Sequence, residues 1–324
     1  MSCHFFWTVF YFGSVISTNI APGIFIHCRM KKLILLLIIC LLFLLPFLFY
    51  KKQEPSVQEE NKCEIMITVE GMSNPIPLEQ YIIGVVAAEM PASFHPEALK
   101  AQAIAARTYV IRTTNYGKES IKPTTAHQVF ATKEARQEKW LTTFSQYEQK
   151  ITTAVEATAS QILTYKDEPI VAMFHASSNG LTESAYNYSG NDIPYLRMTT
   201  TPEQDTQTVT FSVAALNKAL GLNWTQSDYL ALKLIRNQAG RVEKVSGKQT
   251  FSGREFRELL NIRSTDFNIS QNGVDINITT RGYGHGVGMS PYGANVFAKN
   301  GRSTEQILLH YYPNTTFTSL ECEK

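Results

Sequence analysis

The chain has 324 residues, of which 44% are hydrophobic and 18% are charged, and its formal net charge is +2. This composition excludes a disordered chain, because enough apolar residues are present to form one large core or two modest ones. The net charge is small and no basic run interleaves with aromatic residues, so nucleic-acid binding has no electrostatic support and is not expected.

Residues 33–50, LILLLIICLLFLLPFLFY, form an apolar stretch without a charged residue. At the rise of an α-helix this stretch is just long enough to cross a bilayer, which predicts a transmembrane anchor. Basic residues around it weakly favour a cytoplasmic N-terminus and an extracytoplasmic remainder. A cleaved signal peptide is the alternative, but it would have a shorter apolar region and a small-residue cleavage site, which FLFYKKQEP lacks.

Residues 1–32 precede the predicted anchor. Met30, Lys31 and Lys32 followed by the apolar run are typical of a complete bacterial N-terminus, which indicates that residues 1–29 lie upstream of the true start. The alternative is a second apolar segment at 5–17, which is too short to span a bilayer unaided.

Residues 51–62 are polar and lack periodicity, which predicts a linker, and the folded part is expected to cover residues 63–324. Cys63 and Cys322 are the only cysteines in that part. Both a disulfide and two free thiols stay open, because a bridge requires Cα atoms within about 7 Å of each other.

The first elements of the folded part have clear signals. EIMITVEG alternates like a strand, and PLEQYIIGVVAAEM has helical spacing that should end at Met90, because Pro91 follows. PEALKAQAIAARTYVIRT predicts a second helix whose alanines allow close packing.

The later elements mix both types. After a polar stretch that is expected to be looped, ITTAVEATASQILTY predicts a helix that leads into a strand, and EPIVAMFHASSNG predicts a strand that ends in a turn. The region at about 205–275 alternates short strands and short helices and is expected to form a smaller insert. Ser290 and Ser303 mark two helix starts near the end. The expected fold is therefore α+β, with mixed helices and antiparallel strands that form a cleft, preceded by one N-terminal transmembrane helix.

Glu89 is the lone carboxylate in the run GVVAAEMP at 84–91. It should face the negative end of its helix dipole among apolar neighbours, and both effects raise a carboxyl pKa. A carboxyl that is protonated near neutral pH is what a general acid requires. The alternative is a structural glutamate paired with a basic residue such as Arg107.

The segment RGYGHGVGMSPYG at 281–293 carries four alternating glycines, which allow positive φ and close backbone approach. Such a loop can present Tyr283, His285 and Tyr292 in a cleft. It is not a dinucleotide fingerprint, because Val287 stands three positions after Gly284. A glycine-rich turn with a merely hydrogen-bonded histidine is the alternative.

The segment FHASSNGLTE at 174–183 places His175, Ser177, Ser178 and Asn179 in a turn that suits sugar hydroxyls and amides. A serine nucleophile is disfavoured because no Gly-x-Ser-x-Gly elbow occurs. Zinc is disfavoured because the histidines lack a close ligand pair.

In this order, LEQYIIGVVAAEMPASFHPEALKAQAIAARTYV, FHASSNGLTES and GYGHGVGMSPYGANVFAKNG resemble the stage II sporulation protein D family over about residues 65–315. The resemblance implies a membrane-anchored lytic transglycosylase, which cleaves peptidoglycan glycan strands already stripped of stem peptides during engulfment of the forespore. It also implies a location in the mother-cell membrane facing the forespore. The implied partners are a sporulation amidase and a membrane protein that holds both enzymes.

The resemblance also assigns residues. The family's catalytic acid is the glutamate of an A-x-E-M/W-P-like motif, which is Glu89 in this sequence. Glycosidases that use water normally need two carboxylates, whereas a lytic transglycosylase needs one, because the substrate's own 6-hydroxyl is the nucleophile. Substrate contacts are expected from Ser177, Ser178, Asn179, Tyr283 and His285, and Arg107 is expected to orient Glu89 or to bind the glycan.

One departure from the family pattern and one alternative function accompany the resemblance. Some members bind zinc through two cysteines and two histidines after the catalytic helix, but this chain has only His127 there and no cysteine, so neither a metal nor another cofactor is expected. Related domains are described as amidase enhancers, which gives an alternative function: a non-catalytic wall-binding protein that stimulates a peptidoglycan amidase.

Overall fold

In the computed structural model, residues 65–321 are described. Their helices are α1 (Leu78–Glu89), α2 (Pro96–Thr113), α3 (Lys133–Trp140), α4 (Phe144–Glu156), α5 (Ala185–Ser189), α6 (Val213–Leu220), α7 (Gln226–Leu230), α8 (Gly253–Leu259), α9 (Pro291–Lys299) and α10 (Thr304–Tyr311). Their strands are β1 (Met66–Ile67), β2 (Ile76–Pro77), β3 (Gln161–Tyr165), β4 (Glu168–Pro169), β5 (Asn179–Leu181), β6 (Thr200–Gln204), β7 (Thr206–Phe211), β8 (Lys233–Arg236), β9 (Val242–Ser246), β10 (Thr250–Ser252), β11 (Phe267–Asn272), β12 (Asp275–Arg281) and β13 (Thr316–Ser319).

The predicted anchor at 33–50, the linker at 51–62, Cys63 and Cys322 lie outside the described residues. Among residues 65–321, no helix combines the length and the apolar character that a bilayer span requires.

The strands form small sheets in the orders β1-β2, β13-β3-β4, β5-β6, β11-β12-β7 and β10-β9-β8. Every pair between these strands is antiparallel. The predicted mixture of helices and antiparallel strands is therefore confirmed for the described residues.

Helix α2 lies at the centre of the first hydrophobic core. Its alanines at 98, 101, 103, 105 and 106 have no exposed surface, and α1, α4, α9, α10 and β3 all pack against it. Small side chains allow this because neighbouring helix backbones can approach closely without leaving voids. Pro96 occupies the first turn of α2, as the sequence predicts, and His95 caps its start.

A second hydrophobic core is formed by residues between 211 and 278, with Leu216, Tyr229, Val245, Phe256 and Phe267 among its buried side chains. Helices α6, α7 and α8 surround it together with the β8–β10 and β7–β11–β12 sheets. This core overlaps the segment at 205–275 for which a separate insert is predicted.

Two local expectations are wrong. The polar stretch that was expected to be looped contains α3, because Thr132 caps its start by accepting the backbone N–H of Ala135 at 3.2 Å. Residues 170–178 form no regular strand. They are held by isolated bridges, such as Phe174 with Met289 and Ser177 with Tyr283, because their partner is a loop rather than a neighbouring strand.

Candidate active site

Glu89 is the last residue of α1, where Met90 turns to extended backbone ahead of Pro91. Its side chain is mostly buried, and burial raises the pKa of the Glu89 carboxyl above its ordinary value. A hydrogen bond from the Val129 N–H to Glu89 Oε1, at 2.8 Å, opposes this shift without cancelling it. The predicted direction of the pKa shift therefore holds, with burial as its main cause.

No cation within residues 65–321 forms an ion pair with Glu89. Lys139 caps the end of α1 instead, since its Nζ donates to the carbonyl of Ala87 at 3.2 Å. Without a paired cation nothing strongly favours the ionised form, so the alternative of a structural ion pair does not apply to Glu89.

The prediction that Arg107 orients Glu89 or binds the glycan is wrong. Its side chain has no exposed surface, and it binds Glu79 through Nε–Oε1 at 2.9 Å and Nη2–Oε2 at 2.5 Å. Its Nη1 also donates to the Gln161 carbonyl at 3.1 Å. Arg107 therefore ties α1 and α2 to the start of β3, and it neither orients Glu89 nor lines the cleft.

Two cavities meet at Glu89. One has a volume of about 800 Å³ and the other about 620 Å³, and Ala88, Glu89, Ala176 and Tyr283 line both. The two cavities therefore form one groove that passes the carboxyl group. A groove that continues on both sides of a catalytic group suits a chain-like ligand better than a small one.

Aromatic side chains line the larger cavity, namely Trp140, Tyr147, Tyr283 and Tyr292. Trp140 and Tyr147 contact each other edge to face, with ring centroids 5.7 Å apart. Such rings offer a broad apolar face beside a polar atom, which matches the apolar faces of sugar rings. Trp140 and Tyr147 were not among the residues predicted from the sequence, although two aromatic residues within a polar stretch were a usable signal.

The two loop segments singled out in the sequence pair with each other. Ser177 and Tyr283 exchange both backbone hydrogen bonds, at 3.1 and 2.8 Å, and the His175 N–H donates to the Met289 carbonyl at 3.0 Å. Gly288 permits this approach, because it has a φ of +75° and a Cβ there would lie 1.8 Å from the Met173 carbonyl oxygen. The pairing brings Ser177, Tyr283 and His285 to the groove.

Ser177, Tyr283 and His285, for which substrate contacts are predicted, line the groove. Ser177 donates to Asp205 at 3.1 Å, and Tyr283 is 46% exposed with the Arg263 guanidinium over its ring. These positions are compatible with substrate contact, and the roles themselves stay predictions.

Ser178 and Asn179 do not line either cavity, which corrects their predicted role. Ser178 is fully buried, and its N–H donates to Glu203 at 3.1 Å. The Asn179 side-chain amide donates to Asp266 at 2.7 Å and to the Ala239 carbonyl at 3.0 Å. Both residues stabilise the loop rather than contact the groove.

His175 and His285 are both uncharged near neutral pH. Burial and the nearby Arg241 and Arg257 lower the pKa of His285 to about 4. Burial also lowers the pKa of His175 well below its usual value, and His175 Nδ1 lies 3.3 Å from the Val287 carbonyl oxygen. Neither imidazole can therefore serve as a cationic acid in the groove.

Two further carboxylates, Glu203 and Asp205, line the larger cavity. Glu203 accepts hydrogen bonds from Ser178, Ser290 and Thr201. Asp205 accepts from Ser177 and Arg263, the latter at 3.4 Å. Both are engaged as acceptors, whereas Glu89 combines a raised pKa with a place in both cavities.

The described residues do not fit the zinc site that the family resemblance implies for some members. Among residues 65–321, no group of three His, Cys, Asp or Glu side chains could hold a metal ion. His127 uses its Nδ1 to accept the Lys122 N–H at 3.1 Å.

The chain is similar to known proteins over most of its length. The family model described as "Stage II sporulation protein" matches residues 68–165. The chain is 40% identical over 280 residues to the Stage II sporulation protein D of Bacillus amyloliquefaciens, covering 81% of this chain and 80% of that protein. It is 41% identical over 261 residues to the Stage II sporulation protein D of Bacillus subtilis, covering 76% of each. It is also 29% identical to the Amidase enhancer of Bacillus subtilis, covering 73% of this chain and 40% of that protein. With this identity over most of both chains, the protein belongs to the stage II sporulation protein D family.

Proposed function

We propose that this protein is a lytic transglycosylase, which cleaves peptidoglycan glycan strands without stem peptides during sporulation and uses Glu89 as its only catalytic carboxyl group. The observation that carries the proposal is the position of Glu89, where two cavities meet: its carboxyl has a raised pKa and no ion-pair partner among residues 65–321.

The reaction needs one proton donor that later becomes a base. Glu89 protonates the glycosidic oxygen, and the bond between that oxygen and C1 of muramic acid breaks. The 6-hydroxyl oxygen of the same muramic acid then bonds to C1, and Glu89 takes its proton. The products are a 1,6-anhydro-muramyl end and a new free sugar end, and Glu89 is protonated again.

The contacts of Glu89 fit this cycle. Because the Val129 N–H holds Oε1, the acidic proton is expected on Oε2. The same N–H also stabilises the carboxylate that exists between the two proton transfers, so the pKa stays within reach of both roles.

The direct test is Glu89→Gln in the full-length chain, assayed on glycan strands without stem peptides. Glutamine keeps the shape of the side chain but cannot donate an acidic proton. Anhydro-muramyl products should fall by about two orders of magnitude or more. Glu119→Gln is the matched control, because Glu119 is an exposed glutamate outside both cavities. Undiminished product from Glu89→Gln would show that the assignment is wrong.

A second candidate function is binding of wall glycan without cleavage, which stimulates an amidase. The similarity to an Amidase enhancer favours it, and the aromatic lining of the groove suits binding alone. If the wild-type chain binds glycan strands but releases no anhydro-muramyl product, this second function replaces the first.

From the family resemblance we also infer a location and partners. The catalytic part would act outside the cytoplasm, at the mother-cell membrane facing the forespore, with the segment at 33–50 as its anchor. Its partners would be a sporulation amidase, which removes the stem peptides, and a membrane scaffold protein. Co-purification of this chain with that amidase from sporulating cells tests the inference.

A further inference from the structure

Arginine side chains cluster on one side of the groove, where the proposed reaction does not use them. Arg254 and Arg257, both on α8, line the 620 Å³ cavity that also contains Glu89. A neighbouring cavity of about 360 Å³ is lined by the same two residues, by Arg241 and by His285. Three guanidinium groups therefore converge around His285.

Two of these arginines already have acidic partners. Arg254 Nε donates to Glu258 Oε1 at 2.8 Å. Arg241 is buried, with its Nε 3.9 Å from Glu183 Oε2 and its Nη1 donating to Ser264 at 3.2 Å. Glu243 also lines the smaller cavity, but its side chain is exposed.

Arg257 differs from both because it has no acidic partner within residues 65–321, although Arg241 also has two buried nitrogens, Nε and Nη2, without a hydrogen bond. Within residues 65–321 its side chain forms neither a hydrogen bond nor an ion pair, and its Nε is buried without a partner. Arg257 as a whole is only partly buried, but a guanidinium N–H that is buried without an acceptor is costly, and an anionic group of a ligand in the cavity would satisfy it.

The charges of the three arginines act on the neighbouring His285. Burial and the charges of Arg241, Arg257 and Arg254 lower the pKa of His285 to about 4. Burial is the largest cause of this shift, and the three guanidinium charges add to it, as expected for cations that lie beside an imidazole.

We propose that Arg257 binds the free lactyl carboxylate of muramic acid and thereby selects glycan strands from which the stem peptide has been removed. The inference rests on the proposed function, from which it takes the glycan as the ligand. The lactyl group of muramic acid ends either in a free carboxylate or in an amide to the stem peptide. Only the carboxylate carries a charge and offers two oxygens to a guanidinium, and such charge-assisted pairs are about twice as strong as neutral hydrogen bonds.

The test measures binding rather than turnover, on the full-length Glu89→Gln chain in detergent. The probes are two glycan oligosaccharides with the same sugars, one with free lactyl carboxylates and one with each carboxylate converted to a methylamide. With Arg257 present, the acid should bind at least about tenfold more tightly than the methylamide. Arg257→Gln should weaken binding of the acid about 10- to 100-fold and leave binding of the methylamide unchanged. Arg257→Lys should restore part of the preference.

Arg112→Gln is the control, because Arg112 is an exposed arginine outside all of these cavities. Equal binding of acid and methylamide with Arg257 present overturns the inference, as does a preference for the acid that survives Arg257→Gln. If Arg257→Gln does not fold, the test is made on the chain that keeps Arg257. That chain must bind the free acid more tightly than the methylamide, and the difference must become smaller as the salt concentration rises.

Failure of this inference is distinct from failure of the proposed function. If the chain binds the free acid more tightly than the methylamide but the wild type releases no anhydro-muramyl product, only the catalytic proposal is wrong. Product without a preference for the acid removes only the role of Arg257.

Discussion

Replacing Arg107 should destabilise the protein and leave its chemistry intact. Arg107→Met removes a side chain that has no exposed surface and that holds the Glu79 carboxylate and the carbonyls of Gln161 and Val155. Removing one partner of a buried ion pair costs about 3 to 5 kcal/mol, because the other charge is left uncompensated.

The structure sets the expected loss at the low end of that range. The Glu79 side chain is 35% exposed and still accepts the Ser160 N–H at 3.2 Å, so water and one donor remain after the substitution. We therefore expect a loss of about 3 kcal/mol, which lowers the melting temperature by roughly 6 to 12 °C in a domain of this size.

The assays are thermal unfolding and turnover of glycan strands well below the melting temperature, where kcat/KM should change by less than about twofold. Arg112→Met, on the exposed side of the same helix, should change stability by less than about 1 kcal/mol. Adding Glu79→Gln to Arg107→Met removes the orphaned charge and should recover part of the loss. Full stability together with lost activity in Arg107→Met would refute the structural role.

Three further predictions concern the groove. Because burial raises the pKa of Glu89, its acidic form is present below that pKa and lost above it, so kcat/KM should fall on the alkaline side; a profile that stays flat well above pH 8 would contradict a carboxyl acid. Gly288→Ala should lower the free energy of unfolding by at least about 3 kcal/mol and abolish activity, because the new Cβ would lie 1.8 Å from the Met173 carbonyl oxygen. Gly273→Ala is the control, since Gly273 has a φ of +62° and no atom within 4 Å of an added Cβ, and it should cost only about 1 to 2 kcal/mol. Similar losses in the thermal melts of both variants would disprove the close approach. Tyr292→Ala should weaken glycan binding about fivefold, since an aromatic contact contributes about 1 kcal/mol, whereas Tyr186→Ala outside both cavities should not; equal effects in titrations would argue against an aromatic sugar site.

The sequence by itself determined the local features of the site. Pro91 ends α1 at Glu89, Pro96 starts α2, and the alanines of α2 allow close packing against it. The apolar neighbours of Glu89 also predicted the direction of its pKa shift. These features depend on residues a few positions apart, so short-range sterics, capping and burial of one helix face suffice to predict them.

Only the tertiary structure decided the partners of the polar side chains. Arg107 was available to Glu89 by sequence, but helix packing brought it to Glu79 instead. Ser178 and Asn179 turned away from the groove to contact Glu203 and Asp266, far along the chain. Within residues 65–321 the Arg257 side chain has no partner and lies beside the cavity, which no pattern in its own segment reveals. The packing of distant segments determines these partners, because a buried charge or hydrogen-bonding group binds the group that the fold places within about 3 Å of it.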